Sequence, residues 1–345
     1  MSRVEKWIVA KQKVTGFTFS KSCLYFLSLF FKAAIFIRHF FYEIRLFQTF
    51  TSKVPIISVG NIVCGGTGKT EFVVKLISDL KRDDLAVLTR GYRSKRGGKS
   101  SLVKDIDDGD EPFMLANRLK NTWIIRGKRR EESAKLAQSI GAKACILDDG
   151  MQYRRLKKDI SIAMIAATDP FSQGFVPFGM RREQLKQLRF VNYIVIHGAK
   201  NEEHYQLVKN DLLCYCSSKY FGSAYSLAEN SALSGKKVGV FCGIGNPQYF
   251  IEGLEDLNLK IIKTKILADH EKYIDVADFV KLCQAAGAEI VVCTVKDYVK
   301  LSIEDKKLVM PIQISMNIKY DDDVYYSLLE ECNNRIENSK HRTKE

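Results

Sequence analysis

The sequence predicts an α/β protein: a doubly wound parallel sheet, a second and smaller α/β domain, and an N-terminal amphipathic helix. Three observations carry this. Short β-branched runs alternate with helically spaced apolar runs from Ile56 to Ile196, the order that covers both faces of a parallel sheet. The apolar runs end in loops rich in Gly, Asp and Arg, the polar edge where open sheets bind ligands. After a linker-like Asn230-Ser-Ala-Leu-Ser-Gly235, strand and helix patterns start afresh at Val238.

Taken in order, the first element is Leu24 to Tyr42, an apolar and aromatic run preceded by Arg3, Lys6, Lys11, Lys13 and Lys21. A secretory signal needs small residues at a cleavage site, and Arg38-His39-Phe40-Phe41 stands there instead. A membrane span needs about 20 mostly apolar residues, and Lys32 and Arg38 interrupt the run. On a helix Ser28, Lys32, His39 and Glu43 share one stripe, with aromatics and leucines around the rest. Region 1–50 is therefore expected to lie in a bilayer interface; a helix packed on the protein's own core is the competing reading.

Ile56, Ile57 and Val59 form a buried-strand run, and Phe72, Val73, Leu76, Ile77 and Leu80 follow with helical spacing. Between them lie Gly65, Gly66, Thr67, Gly68, Lys69 and Thr70. This is the order of a P-loop NTPase-like phosphate loop. Backbone N–H groups freed by glycine close on phosphate oxygens at the positive end of a helix. Lys69 is placed to reach the β/γ-phosphates of ATP and Thr70 to ligate Mg²⁺. The glycine spacing is shifted: Val63 occupies the usual first glycine position.

Leu85 to Thr89 reads as the next strand, followed by Arg90-Gly-Tyr-Arg and a Lys/Arg/Gly/Ser loop to Ser101. Gly109-Asp110-Glu111 precedes a helix over 112–119, where acidic residues also suit the helix dipole. Ala144 to Leu147 is a buried strand delivering Asp148 and Asp149 to the ligand edge, positions a phosphate-loop enzyme uses for Mg²⁺. Strands follow at 160–166 and 191–196, the second closing a domain over 51–210. Between them, Arg182 and Glu183 open a helix after Pro177-Phe-Gly. Residues 211–235 read as a hairpin linker, and 236–335 as the smaller domain with a polar tail.

The formal net charge of +14 over 345 residues points to an anionic partner. Basic clusters at Lys128-Arg129-Arg130, Arg154-Arg155, Lys157-Lys158 and Arg181-Arg182 flank the motifs and favour a polyanionic substrate. No base-stacking or helix-turn-helix pattern supports nucleic acid. Nine scattered cysteines with no C-x-x-C pair suit a reducing compartment and suggest no zinc site.

Together, Ser58-Val-Gly-Asn, Gly65-Gly-Thr-Gly-Lys-Thr, Arg90-Gly-Tyr, Gly109-Asp-Glu-Pro, Leu147-Asp-Asp-Gly with Gln152, Pro177-Phe-Gly with Arg182-Glu183, Phe241-Cys-Gly-Ile-Gly-Asn-Pro, Asp269-His270 and Lys296-Asp297 resemble the tetraacyldisaccharide 4'-kinase family. The resemblance implies ATP- and Mg²⁺-dependent phosphorylation of the 4'-hydroxyl of a lipid A disaccharide precursor, peripherally on the cytoplasmic face of the inner membrane, with no obligatory protein partner. It implies catalytic roles for Asp110 as base, paired with His270, and for Lys69 and Arg182. It places Glu183 with Thr70, Asp148 and Asp149 at the metal. The chain departs from the family pattern at Tyr153 (usually His), Glu71 (usually Pro) and Val295 (usually Glu). A membrane-associated NTPase switch or partition-type ATPase is the alternative function.

Overall fold

The computed structural model describes residues 19–92, 94–227, 233–244, 247–267 and 275–339. The chain divides into two compact units: residues 10–224 with 318–345, and a smaller one that includes 225–317.

In the larger unit the chain runs α1 (Phe19–Glu43), β1 (Ile56–Gly60), α2 (Lys69–Leu80), β2 (Leu85–Thr89), β3 (Ser101–Leu102), α3 (Asp110–Arg118), β4 (Trp123–Arg126), α4 (Arg130–Ser139), β5 (Ala144–Asp148), β6 (Ile160–Ala166), β7 (Tyr193–His197), α5 (Glu202–Leu213) and β8 (Lys219–Leu227). The smaller unit carries β9 (Lys237–Cys242), α6 (Pro247–Asp256), β10 (Lys260–Ile266), α7 (Val276–Ala285), β11 (Ile290–Thr294), α8 (Val295–Tyr298), α9 (Ile303–Lys306) and β12 (Met310–Ile312). β13 (Ile314–Tyr320) then leads back to α10 (Asp322–Asn338).

The large sheet has the order β13-β8-β7-β6-β1-β5-β2-β4-β3. From β4 to β8 its strands pair in parallel, and β3 joins β4 antiparallel. β1, β2, β5 and β7 are buried along their whole length, which is why their sequences read as continuous apolar runs rather than alternation. β1 lies between β5 and β6, so the chain leaves β1 in one direction across the sheet and returns on its other side. The loop after β1 thus stands at the switch point where such sheets bind ligands. In the smaller unit β10-β9-β11-β12 is wholly parallel. There buried Asp297 accepts from Thr294 Oγ1 (2.6 Å) and the Gly243 amide (3.0 Å), tying two strand ends together.

Four expectations are corrected. Among the described residues of 211–235 there is no hairpin: the chain to Leu213 is α5, burying Tyr205, Val208 and Leu212, and β8 pairs in parallel with β7. The strand at 193–197 is therefore not the last of its sheet. No α-helix begins at Arg182, because the Arg182 and Glu183 amides donate to the Ile62 carbonyl (2.9 and 3.2 Å) and only a 3₁₀ turn, Leu185–Phe190, follows. The C-terminal segment is not a fraying tail of the smaller unit. α10 continues to Asn338 in the larger unit, with Tyr325 ringed by Phe72 and Phe221 and donating to Asp79 (2.6 Å).

His197, at the end of β7, is 2% exposed and its Nδ1 lies 3.1 Å from Ser223 Oγ. Burial disfavours the imidazolium and presses its pKa down to about 4. An unfolded His titrates near about 6.5, so between those values the unfolded chain takes a proton that the native chain refuses. Stability is thus expected to fall as pH drops from about 6.5 towards 4, by up to about 3 kcal/mol from this group. Denaturant titrations of the parent and His197→Gln at pH 7 and 4.5 test it: the variant's acid loss should be smaller, and an equal loss contradicts the assignment.

Candidate phosphoryl-transfer site

Gly68 precedes α2 with φ 81°, a left-handed conformation that costs a side-chain-bearing residue and lets the loop turn into the helix. The turn is closed by the Thr67 amide to the Gly65 carbonyl (3.1 Å) and the Phe72 amide to the Gly68 carbonyl (2.9 Å). Lys69 and Thr70 therefore stand in the first turn of α2, beside Gly65, Gly66, Thr67 and Gly68, as the motif requires. Glu71 shares that turn. Its carboxylate takes two bonds from Arg118 (2.8 and 2.7 Å) and adds negative charge at the positive helix end, which accounts for its presence where the family pattern has Pro.

Asp148 ends β5 and Asp149 follows with φ 54°, turning the chain sharply at the sheet edge. The two neighbours have opposite electrostatics. Burial lifts the Asp148 carboxyl to about 7, helped by the charges of Glu111 and Asp149. Burial also works against ionised Asp149, but hydrogen bonds from Arg182 and the charges of Lys69 and Arg182 outweigh it and hold the group at about 2. Lys69 Nζ lies 3.6 Å from Asp149 Oδ1, and Arg182 grips both Asp149 oxygens, Nη1 donating to Oδ2 at 2.8 Å.

Arg182 also donates to Asn61 Oδ1, and Asn61 Nδ2 donates to Thr67 Oγ1 (2.8 Å). Gln152 Nε2 donates to the Asn61 carbonyl (2.8 Å). Buried Asn61 therefore joins the glycine loop, Arg182 and the Asp148–Asp149 turn into one unit. Asn61 and Gln152 stand within the sequence motifs with no role evident there; a polar residue directly after an apolar strand is the available signal. Arg130 was missed as well. It is buried, lies over the Tyr153 ring (5.2 Å) and feels the charges of Asp148 and Asp149. Tyr153, where the family pattern has His, donates to Glu131 and accepts from the Arg130 amide (3.0 Å).

Asp110 opens α3 immediately after Gly109, and the charge of its neighbour Glu111 reaches Asp148. His270 and Asp269 lie outside the described residues. Glu183 does not join the carboxylates at the loop. It is 1% exposed and its oxygens take Arg38 Nη2 (3.0 Å) and His39 Nε2 (2.6 Å), so it anchors α1 instead of facing a metal.

Among the described residues no three His, Cys, Asp or Glu side chains converge on one point. Mg²⁺ does not require such a cage, since it takes one or two carboxylates with phosphate and water oxygens. Asp148 fits that role: it is buried, forms no ion pair among the described residues, and burial outweighs the charges of Lys69 and Arg130 that reach it. The Thr70 hydroxyl adds a second hard oxygen, and Asp149 is adjacent.

Residues 20–333 match the family described as tetraacyldisaccharide-1-P 4'-kinase, LpxK. The tetraacyldisaccharide 4'-kinase of Halothermothrix orenii is 33% identical over 321 residues, covering 82% of this chain and 84% of that one. That of Chlamydia abortus is 32% identical, covering 83% of each. In fold the chain is similar to a crystal structure of "apo" form LpxK from Aquifex aeolicus in complex with ATP, with a TM-score of 0.73 at 24% identity over 92% of this chain and 99% of that one. The chain belongs to the tetraacyldisaccharide-1-P 4'-kinase family.

Proposed function

We propose that this chain transfers the γ-phosphoryl group of ATP to the 4'-hydroxyl of a tetraacyldisaccharide 1-phosphate, working peripherally at the cytoplasmic face of the inner membrane. As a family member it is an ATP-dependent kinase of lipid A biosynthesis. The observation that carries the reading is the convergence of Lys69 and Arg182 on Asp149 beside a glycine loop at a helix N-terminus. The loop amides from Gly65 to Gly68 hold the donor phosphates. Lys69 and Arg182 stabilise charge that develops on the transferred group. Asp110 accepts the proton of the acceptor hydroxyl; His270, which the family resemblance implies as its partner, lies outside the described residues. Thr70, Asp148 and Asp149 would hold Mg²⁺, directly or through water, and the ion would neutralise phosphate oxygen charge. The test is incubation with radiolabelled ATP and the disaccharide 1-phosphate, followed by chromatography of the lipid. Label in the lipid at the 4' position is expected; ATP hydrolysis indifferent to the lipid would favour a nucleotide switch.

The membrane half of the proposal rests on α1. Its protein-facing stripe is Leu24, Ser28, Ile35 and His39, while Phe26 (61%), Phe30 (74%), Phe36 (55%) and Phe40 (48%) are exposed. Ser22–Glu43 is also long and apolar enough to cross a membrane. A soluble helix turns its polar residues outward; this one turns Ser28 and His39 inward and its aromatics out, as an interfacial helix does. Exchanging Phe30, Phe36 and Phe40 for Ser is expected to release the folded protein from anionic liposomes in flotation and to raise KM for lipid more than for ATP. Unfolding of that variant would instead mark the face as part of a core.

A further inference from the structure

At the foot of α1 positive charge exceeds negative. Arg38 gives Nη2 to Glu183 (3.0 Å), yet its Nε is buried with no hydrogen-bond partner. Arg154 donates from Nη1 to His39 Nδ1 and lies over the Tyr42 ring, 5.7 Å from its centroid. A guanidinium can only donate, so His39 accepts at Nδ1 and donates from Nε2 to Glu183. Lys158 is half-buried near the same group, its ammonium donating to the Met151 carbonyl (3.1 Å). Burial and the charge of Arg154 press it down to about 8. Arg155, 56% exposed, borders the set beside Tyr42. The acids do not balance these cations. Glu183 and Glu131 are the buried carboxylates here; Glu131 is shared by Arg129, Arg155 (3.7 Å) and Tyr153, and Glu43 is exposed at the helix end, so Arg38, Arg154, Arg155 and Lys158 outnumber the buried acids. Crowded, partly desolvated cations favour an anion with several acceptor oxygens.

The surroundings say where that anion comes from. The exposed aromatic face of α1 is continuous with the cluster, and Lys186 stands 5.5 Å over the Phe36 ring. A phosphate held here sits at the level where apolar surface meets charge, the headgroup level of a bilayer. We propose that Arg38, Arg154, Arg155 and Lys158 form a phosphate subsite that takes the phosphomonoester which the glycolipid acceptor already carries, away from the hydroxyl that reacts. This rests on the kinase reading given above. The backbone supports the placement. Arg182 and Glu183 are consecutive residues, yet their side chains reach different partners. One holds Asp149 at the phosphate loop and the other holds the foot of α1. An acceptor with a hydroxyl at one end and a phosphate at the other spans that division.

The phosphate of a neighbouring phospholipid shares this chemistry, and the test separates the two. Flotation would use the full chain with phosphatidylcholine vesicles in four forms: plain, with the tetraacyldisaccharide 1-phosphate, with the same disaccharide lacking its phosphate, and with phosphatidylglycerol. The parent should bind the phosphorylated disaccharide about ten-fold or more tightly than the phosphate-free one, as loss of a charge-assisted contact implies. Lys158→Met and Arg155→Gln should each remove most of that preference and keep binding to the phosphate-free vesicles. Arg155 is on the surface, so its variant answers the question even if Lys158→Met fails to fold. A preference retained in Arg155→Gln, or an equal gain from phosphatidylglycerol in the parent, overturns the acceptor subsite. Because binding is read without turnover, intact phosphate preference with no phosphoryl transfer would sink the kinase reading and leave the subsite standing.

Discussion

Lys69→Ala is expected to lower kcat by about two to three orders of magnitude while the protein stays folded. Phosphoryl transfer leaves the protein little covalent work, so most of its contribution is positioning and charge. Lys69 supplies a cation at the first turn of α2, where loop amides and the helix end already favour phosphate. Its removal does not strand a buried charge, because Asp149 keeps its two contacts with Arg182. Folding should therefore survive, and thermal unfolding of the variant should lie close to that of the parent. Arg182→Ala is a less clean experiment, since it also frees Asn61 and loosens the glycine loop. Near-parental turnover in Lys69→Ala would remove the nucleotide assignment.

Asp110→Asn is expected to cut kcat by about 10²- to 10⁴-fold with little change in KM for ATP, as loss of a positioned base would. The competing account makes Asp110 only a partner of the helix dipole, worth a few tenths of a kcal/mol in stability and nothing in rate. Asn keeps the shape and cannot hold the proton, so the two accounts diverge on kcat alone. The fold holds this helix start firmly. Gly109 adopts φ 113°, open to glycine and strained for other residues. Before it, buried Asp108 takes Arg126 Nε at 2.6 Å and the Lys104 amide at 2.8 Å. Arg126 in turn donates to the carbonyls of Gly97 (2.7 Å) and Lys99 (3.3 Å), stapling the basic loop to the same point. Asp107, exposed and paired with Lys95, is the control: Asp107→Ala should leave kcat close to the parent's. A fast Asp110→Asn enzyme ends the base assignment.

Much of this was legible locally. The glycine loop, the two aspartates after β5 and the apolar spacing of α2 are short-range signals, and the structure places them at one sheet edge. What stayed hidden was long-range. Nothing near Glu183 announces that its partners are Arg38 and His39, 145 and 144 residues earlier, and its metal role came from the family resemblance alone. The amides of residues 182 and 183 pair with Ile62, and that pairing overrode the helical reading of the segment. The hairpin error was avoidable: Tyr205, Val208 and Leu212 already recur at helical spacing. The allegiance of α10 was not, because it is decided by Tyr325 meeting Phe72 and Phe221 across the fold.

The outward aromatic face of α1 has a kinetic consequence. An enzyme held at a surface by such a face meets its lipid by diffusion in two dimensions, while ATP arrives from bulk solution. The quantity that sets saturation by lipid is then its mole fraction in the surface, not its amount per volume. Diluting the acceptor with inert neutral lipid at constant total acceptor should slow turnover, whereas diluting the whole suspension with buffer should change the rate per bound enzyme little.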